Sequence, residues 1–594
     1  MSLFSGLYTG ASGLVTNQNA LNTTAHNLAN INTSGYTRQQ VTQGNRHYDT
    51  IGQSYVSSQQ VGLGVSYSDV RAVRDYFLDK AYRLENGRSE YYNANYQIIT
   101  EMETLFGEME GVAFQESMVE LERTIQELQK NPSDATNQGL LVSKATTFLE
   151  RSQAVYDGIA GYQDNLNEQI KGLVDDINKY AKQIDELNHK ITAIETGGIE
   201  RANDLRDMRD MLLDKLSGLG NISYEENIHG VVTVQFEGVD LVSDDFAYEM
   251  AAMKKEEIIK TNPDLKETYK DLDDDFYIPV WKSLGCMSVI SRTETISSDL
   301  NTDVGALKAV LNARGDKRGT YRDLYRAQDY LDEYKLEDIQ KPVAERRFFD
   351  GSTPPKQIKT DEEIIATITP ELNDRYDKTT LRSSVVNMMA EFDNLIHGIV
   401  TGMNNILTGE NGYTLFSQIT VPDEPKDSEK TKYKNYDNED AEIVPASMAD
   451  STDGWSTKNL MITTAVQQVP SLLNDGFVLP DKSVNQADAD KLVDLFQDDF
   501  DILNPNTRKK HTFAEYYNAL ATDNAIRGNT YKNVSDNQSV TVSSLDNQRQ
   551  QVVGVSDEEE LTLLIKYQNA YNASSRYINV LNQMLETLLS SMGR

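Results

Sequence analysis

Apolar residues recur every seven positions at the start of the chain: Leu7, Leu14, Leu21 and Leu28, with Phe4, Ala11, Gln18 and Ala25 at the alternate positions. So narrow a stripe marks a helix that packs on another helix, and a coiled-coil helix is predicted over residues 2–30. Gly6, Gly10, Ala11 and Gly13 lower its intrinsic stability but let a neighbouring backbone come close, so the helix needs partners to form. The stretch to about residue 75 is rich in Gly, Gln, Ser and Val and predicts extended chain and short strands, with Gly35 near a helix-ending turn.

Helical periodicity returns over 87–130 and stops at Asn131-Pro132, because proline disfavours helix at the residue before it. A second helical stretch, 135–195, carries clean heptads: Ile170, Ile177, Ile184 and Ile191 alternate with Leu166, Leu173, Tyr180, Leu187 and Ile194. Ile at one seam position and mainly Leu at the other also suits a parallel two-stranded coil, but the short connection favours an antiparallel bundle of these two stretches. Gly197-Gly198 breaks the pattern, a helix follows at 200–217, and the alternation Val232, Val234, Phe236 makes 220–300 mainly β.

Further on, a helix starts near Val304, a charged segment spans 314–380, another helix covers 381–408, and 421–454 has the composition of a solvated loop. Helical texture resumes near 485. The last helix starts at about Asp557 and carries a second seam: Leu561, Leu564, Gln568, Tyr571, Ser575, Ile578, Asn582, Leu585, Leu589 and Met592. Its first-turn acids, Asp557 to Glu560, meet the positive end of the helix dipole. Pairing the two end helices would bury Leu and Ile at about 1.5–3 kcal/mol each, enough to offset the glycines.

These elements define an α+β multidomain fold class: a long α-helical terminal coiled-coil core and a helical bundle, with mainly β outer domains. The expected segments are 1–86 (N-terminal core helix and extended segment), 87–219 (long helical bundle) and 220–303 (mainly β outer domain). They continue with 304–416 (helical segments with a charged insertion), 417–535 (variable outer insertion) and 536–594 (C-terminal core helix).

Charge sharpens the picture. The chain carries a net −35, which argues against nucleic acid and against an anionic membrane as partners. Residues 1–48 hold only Arg38 and Arg46, and from Leu561 onward the charged side chains are Lys566, Arg576, Glu586 and Arg594. A helix whose polar face is Asn, Thr, Gln and Ser is suited to contact on several sides, since neutral amides avoid the desolvation penalty of a charge. No basic and apolar leader opens the sequence, and no run of about 18 apolar residues exists for a membrane span.

Catalytic chemistry is absent from the pattern. The six histidines are dispersed without metal-ligand spacing, the lone Cys286 builds no cluster, and the acids Asp271, Asp273, Asp274 and Asp275 lack the spacing of a calcium loop. No phosphate-binding or dinucleotide motif occurs, so no enzyme activity, cofactor or metal is expected.

The run from Asn27 through Leu28, Asn30 and Gly35-Tyr36 to Arg38 resembles the signature shared by the axial proteins of the bacterial flagellar rod, hook and junction. Gly6-Leu7, Asn131-Pro132-Ser133-Asp134, Ala202-Asn203-Asp204-Leu205, Gly305-Ala306-Leu307 and Leu564 to Tyr571 are further similar to the hook-filament junction branch of that family. The resemblance implies a structural subunit of the flagellum joining hook to filament, exported without a cleaved signal peptide and extracellular, with its terminal helices in the tube core. It implies as partners other copies in the junction zone, the hook protein, a second junction protein and a cytosolic export chaperone at the C-terminal helix. The expected assembly interface is Leu7, Leu14, Leu21, Leu28, Asn30, Tyr36, Leu561, Leu564, Gln568, Tyr571, Ile578 and Leu585. Alternatives are another axial protein, such as the hook protein, or a junction subunit whose outer insertion is adhesive or enzymatic.

Overall fold

The computed structural model describes all residues except 1–2, 47, 54–57, 107–113, 199, 245, 351, 410, 421–441, 446–454 and 593–594. Helix α1 (Leu3–Ala29) leads into β1 (Gln39–Asn45), β2 (Tyr48–Gln53), β3 (Ser58–Gly62) and β4 (Val65–Ala72). These pair antiparallel as β1–β4 and β2–β3. The chain then runs outward along α2 (Tyr76–Phe106) and continues in α3 (Phe114–Lys130), α4 (Ala135–Glu195) and α5 (Asn203–Leu219). The 61 residues of α4 span about 90 Å and make it the spine of the molecule.

Antiparallel strands β5 (Ile222–Glu226), β6 (Val232–Phe236) and β7 (Val239–Val242) form one sheet. Strands β8 (Met250–Lys254), β9 (Tyr277–Trp281) and β10 (Met287–Ser288) form another, with α6 (Lys255–Thr261) between β8 and β9. Two small antiparallel sheets thus lie within 220–300, where β structure is expected. Helices α7 (Ala306–Arg314), α8 (Ala327–Gln340), α9 (Asp361–Lys378) and α10 (Ser384–Leu407) follow. Strands β11 (Phe416–Thr420), β12 (Glu442–Pro445) and β13 (Leu460–Ile462) make a third three-stranded sheet. Apart from β12, the loop expected at 421–454 lies outside the described residues. Short helices α11 (Thr464–Gln468) and α12 (Asn474–Phe477), then α13 (Gln486–Gln497) and the strand pair β14 (Asp501–Ile502) and β15 (Lys510–His511), lead into α14 (Phe513–Val553) and α15 (Asp557–Met592).

Two expectations are corrected. The heptad seam of α4 does not pack along its length on a single 87–130 helix. That stretch is two helices, and α3 forms an antiparallel hairpin with the first part of α4, where Lys144 meets Glu120 at 3.3 Å. The isoleucines Ile170, Ile177, Ile184 and Ile191 are fully buried, and this half of α4 packs instead on the two β-sheets, α5 and α7. Heptad spacing specifies a continuous apolar stripe but not whether helix or sheet covers it. The second correction concerns the boundary at 535/536, which falls inside α14. Helix α14 runs antiparallel to α2: Gly528 lies against Ile99, Tyr531 is 6.3 Å from Tyr92, and Arg549 is 2.9 Å from Asp79. Its second half is rich in Asn, Ser, Thr and Val, weak helix formers without an apolar stripe, so its helicity depends on packing that periodicity does not reveal.

Asparagine amides dock strands onto helices. Asn188 donates to the Val232 carbonyl at 2.8 Å and accepts from the Val232 N–H at 3.1 Å. Asn178 treats Met250 the same way, at 2.9 Å in both directions. Asn404 clamps Phe416, at 3.0 Å both ways. Asn167 donates to Asp275 O at 3.2 Å and accepts from Tyr277 N at 2.8 Å. Each amide replaces a missing strand partner, satisfying a buried donor and acceptor with one side chain.

Replacing Asn188 with Leu leaves the Val232 N–H and C=O unpaired, at a cost of about 1–3 kcal/mol each. The expected result is faster amide hydrogen exchange across β6, with exchange along α10 unchanged.

On α10, burial pushes Glu391 up to about 7, although Arg527 and the Asn504 and Asn387 amides favour its charged form and Asp523 opposes it. Burial likewise raises Asp393 to about 6, against the bonds it accepts from Thr457 and the Tyr321 N–H. The folded Glu391 value lies above that of an unfolded glutamate. The folded chain therefore holds the extra proton up to about pH 7, and this contribution to stability is lost as pH rises through that window. Glu391→Gln is expected to raise the thermal midpoint at pH 8 and leave it nearly unchanged at pH 5.

Candidate assembly interface

The two ends of the chain meet. Helices α1 and α15 lie antiparallel, and the face of α1 that enters the contact is a stripe of small and polar residues: Gly6, Gly10, Gly13, Thr16, Ala20, Thr24 and Asn27. A Cβ on Gly10 would sit 2.8 Å from Ile578 Cγ1 and 3.0 Å from Tyr577 Cδ1, while one on Gly6 would sit 3.3 Å from Leu581 Cδ1. Gly13 faces Ser574 in the same way. Side chains of α15 thus fill the space the glycines vacate, and the close approach repays their poor helix propensity.

The predicted seam does not close this pair. Leu7, Leu14, Leu21 and Leu28 each follow a stripe residue by one position, about 100° around the helix, and are half-buried along one edge of the contact. Ala11, Gln18 and Ala25 are exposed. On α15, Leu564, Tyr571, Ile578 and Leu585 are half-buried, whereas Leu561, Gln568, Asn582 and Leu589 are exposed. The most buried apolar side chain of α15 is Leu581, which the heptad reading omitted. The side chains of Phe4 and Met592 lie outside the described ones. The close approach expected at Gly6, Gly10 and Gly13 is the one the contact uses, whereas Thr16, Ala20, Thr24 and Asn27, which continue the same face, carry no apolar signal.

At its base the hairpin is locked by a polar cluster built from the motif after α1. Asn27 donates to Gln39 O at 2.9 Å and to Glu560 Oε2 at 3.1 Å, and its Oδ1 accepts from Tyr36 Oη at 2.8 Å and Gln39 N at 3.0 Å. This amide is fully satisfied and docks β1 as Asn188 docks β6. Glu560, buried in the first turn of α15, also accepts from Arg38 Nε at 2.8 Å, and Arg38 Nη1 lies 2.9 Å from Glu559. The Arg38 N–H closes on Val553 O at 2.8 Å. Burial, and then the nearby carboxylates Asp204, Asp207 and Glu560, push the Tyr36 hydroxyl up, so it stays a donor. Gly35 takes φ +77°, and a Cβ there would collide with Met211 Sδ at 2.3 Å. Asn30 is peripheral: it donates to His26 O at 3.0 Å and accepts from Thr33 at 3.1 Å.

A second ionic cluster ties the hairpin to the body. Arg549 of α14 reaches Asp79 at 2.9 Å and Asp214 at 2.8 Å, Arg83 of α2 reaches Asp214 at 2.7 Å and Asp210 at 3.0 Å, and Arg74 also pairs with Asp210. Arg83 is buried, so losing both Asp210 and Asp214 would strand its charge.

Outside the α1 contact, α15 carries a second apolar stripe. Val580, Met584 and Leu588 are 49%, 53% and 42% exposed, at spacings of four residues. On α1, Tyr8 and Val15 are exposed on the back face. Among the described residues there is no group of His, Cys, Asp or Glu able to hold a metal ion, and no helix is long and apolar enough to cross a membrane.

Gly10→Val is expected to force α1 and α15 apart, read as rapid proteolysis within α1. Ala11→Val, on the exposed face, should leave the cleavage pattern unchanged.

Comparison with known proteins assigns these parts. The family model for the flagellar hook-associated protein FlgK helical domain matches residues 99–333. The flagella basal body rod protein model matches 7–37, and the C-terminal model of the flagellar basal body rod FlgEFG proteins matches 549–591. Flagellar hook-associated protein 1 of Bacillus subtilis is 24% identical over 100% of this chain and 99% of its own length. The Salmonella typhimurium protein of the same name is 23% identical over 98% of both chains. The solved flagellar hook junction protein FlgK of Burkholderia pseudomallei aligns with 80% of this chain and 100% of its own, at 12% identity and a TM-score of 0.47, too distant to bear on the fold. Both ends match axial-protein models, the middle matches the FlgK helical domain, and from end to end the chain is similar to the flagellar hook-associated proteins of the FlgK type.

Proposed function

We propose that this chain is a non-enzymatic structural subunit joining hook to filament, in which the α1–α15 hairpin packs among the hairpins of neighbouring copies in the tube core while the trunk faces outward. The observation that carries this reading is the second apolar stripe of α15, left uncovered on a hairpin whose charged side chains beyond the first turn of α15 are Lys566, Arg576 and Glu586 alone. Burying that stripe against a neighbour contributes favourably without stranding ions, and the Asn, Thr and Ser side chains between the apolar positions hydrogen-bond a partner at little cost. Helix α15 is thereby suited to two contacts at once, one within the chain and one between chains.

The partners in this reading are other copies in the junction zone, the hook protein on one side and a second junction protein on the other. Before assembly, the same stripe suits capture by a cytosolic export chaperone, and export proceeds without a cleaved signal peptide to the flagellum outside the cell. Reading the chain as the hook protein itself is less well supported, because the helical-domain match over 99–333 and the full-length relatives are hook-associated. No observation favours an adhesive or enzymatic role for the outer insertion.

The test separates assembly from folding. Val580→Asp with Met584→Asp places two charges on the exposed stripe, so the purified chain should melt as the wild type does. In cells the variant is expected to be missing from flagella, with filament protein shed into the medium and motility lost. A motile strain with the variant located between hook and filament would overturn the reading.

A further inference from the structure

Where α10 meets α14 the packing leaves a small cavity, to which α10 contributes Glu391 and α14 contributes Asn524 and Arg527. Ile99 of α2, Met388 and Leu520 add apolar walls. About 10 Å³ is open to the centre of a water-sized sphere, which is the room of a single water and too little for an organic ligand or a hydrated ion.

The polar groups around this space do not satisfy one another. Glu391 is buried, and its Oε1 accepts from Asn387 Nδ2 at 3.1 Å and from Asn504 Nδ2 at 2.9 Å. Among the described residues no donor reaches its Oε2. Asn524 is 5% exposed, and its Oδ1 is buried without a hydrogen-bond partner in the protein. Arg527 gives its Nε to Asp523 at 2.7 Å, and no ion pair within 4.0 Å joins it to Glu391, although both line the cavity. Buried oxygens left without donors cost stability, so the site calls for a further partner.

We propose that the cavity is a binding site for one ordered water, which joins Glu391 of α10 to Asn524 and Arg527 of α14. The mixture of groups selects that ligand. Arg527 opposes a cation, and Glu391 with Asp523 opposes an anion. A neutral molecule that donates two hydrogens and also accepts suits all three: it donates to Glu391 Oε2 and Asn524 Oδ1 and accepts from Arg527. Three polar partners is the usual number for a buried water. The water completes a hub, because Asn387, which donates to Glu391, accepts from Tyr376 of α9 at 2.6 Å. One carboxyl thereby ties α9, α10 and α14 together.

The test is a crystal structure of the full-length chain at a resolution that shows solvent. One peak of ordinary water height is expected within hydrogen-bond distance of Glu391, Asn524 and Arg527. No density there, density that only a heavier ion fits, or Arg527 swung directly onto Glu391 would each overturn the inference. Amide exchange decides the same point in solution. Asn524→Leu removes one anchor of the water and is expected to speed exchange over 519–527 about fivefold, the effect of one lost hydrogen bond. In a dry cavity the same change replaces an unpaired amide with an apolar side chain, so unchanged or slower exchange counts against the water site.

Discussion

The close contact between α1 and α15 governs the rest of the molecule. Glycine at 6, 10 and 13 lets Tyr577, Ile578 and Leu581 approach the α1 backbone, so residues more than 560 positions apart become neighbours. Everything between must then leave the hairpin and come back. It leaves along α2 and returns along α14, and the Arg549, Arg83, Asp79 and Asp214 cluster holds these two strokes together near the hairpin. The polar group at the base, Asn27 with Glu560 and Arg38, fixes the register in which the ends meet, since a shift of one turn would leave a buried carboxylate and amide without partners.

The trunk follows the same economy. Where α4 supplies an apolar stripe, sheets as well as helices cover it, and asparagine amides at 167, 178 and 188 terminate the strands against it. Stability there comes from burial in the core, with polar side chains used to end strands cleanly. The terminal hairpin reverses the balance. It buries little apolar surface of its own and leaves a stripe open, which suits a part that is completed by its neighbours.

Much of this was legible in the sequence. Both terminal helices, their near absence of charge, the break at Pro132 and the β character of 220–300 follow from period and composition, because those signals are local. The motif around Asn27, Tyr36 and Arg38 was visible as a motif, but its role as an internal lock was not, since Glu560 lies at the other end of the chain. The Ile170–Ile191 stripe does not reveal its partner for a related reason: a period specifies a face and says nothing about what covers it. Helix α14 escaped because its Asn, Ser and Thr residues carry no stripe, and its fold is imposed by α2. The heptad of leucines lies along one edge of the end contact and not at its centre. Its half-burial beside the glycine stripe shows that small residues, which any hydrophobicity pattern undervalues, choose the face.

The hairpin closes through glycine within one chain and, in the proposed assembly, is covered between chains through the second stripe of α15. A density map of the intact hook–filament junction, at a resolution that shows side chains, tests it directly. The expected map has α1 and α15 of each copy antiparallel in the inner wall, with Val580, Met584 and Leu588 packed on an adjacent copy. A map in which α15 pairs with α1 of a different copy, or in which that stripe faces open solvent, would contradict it.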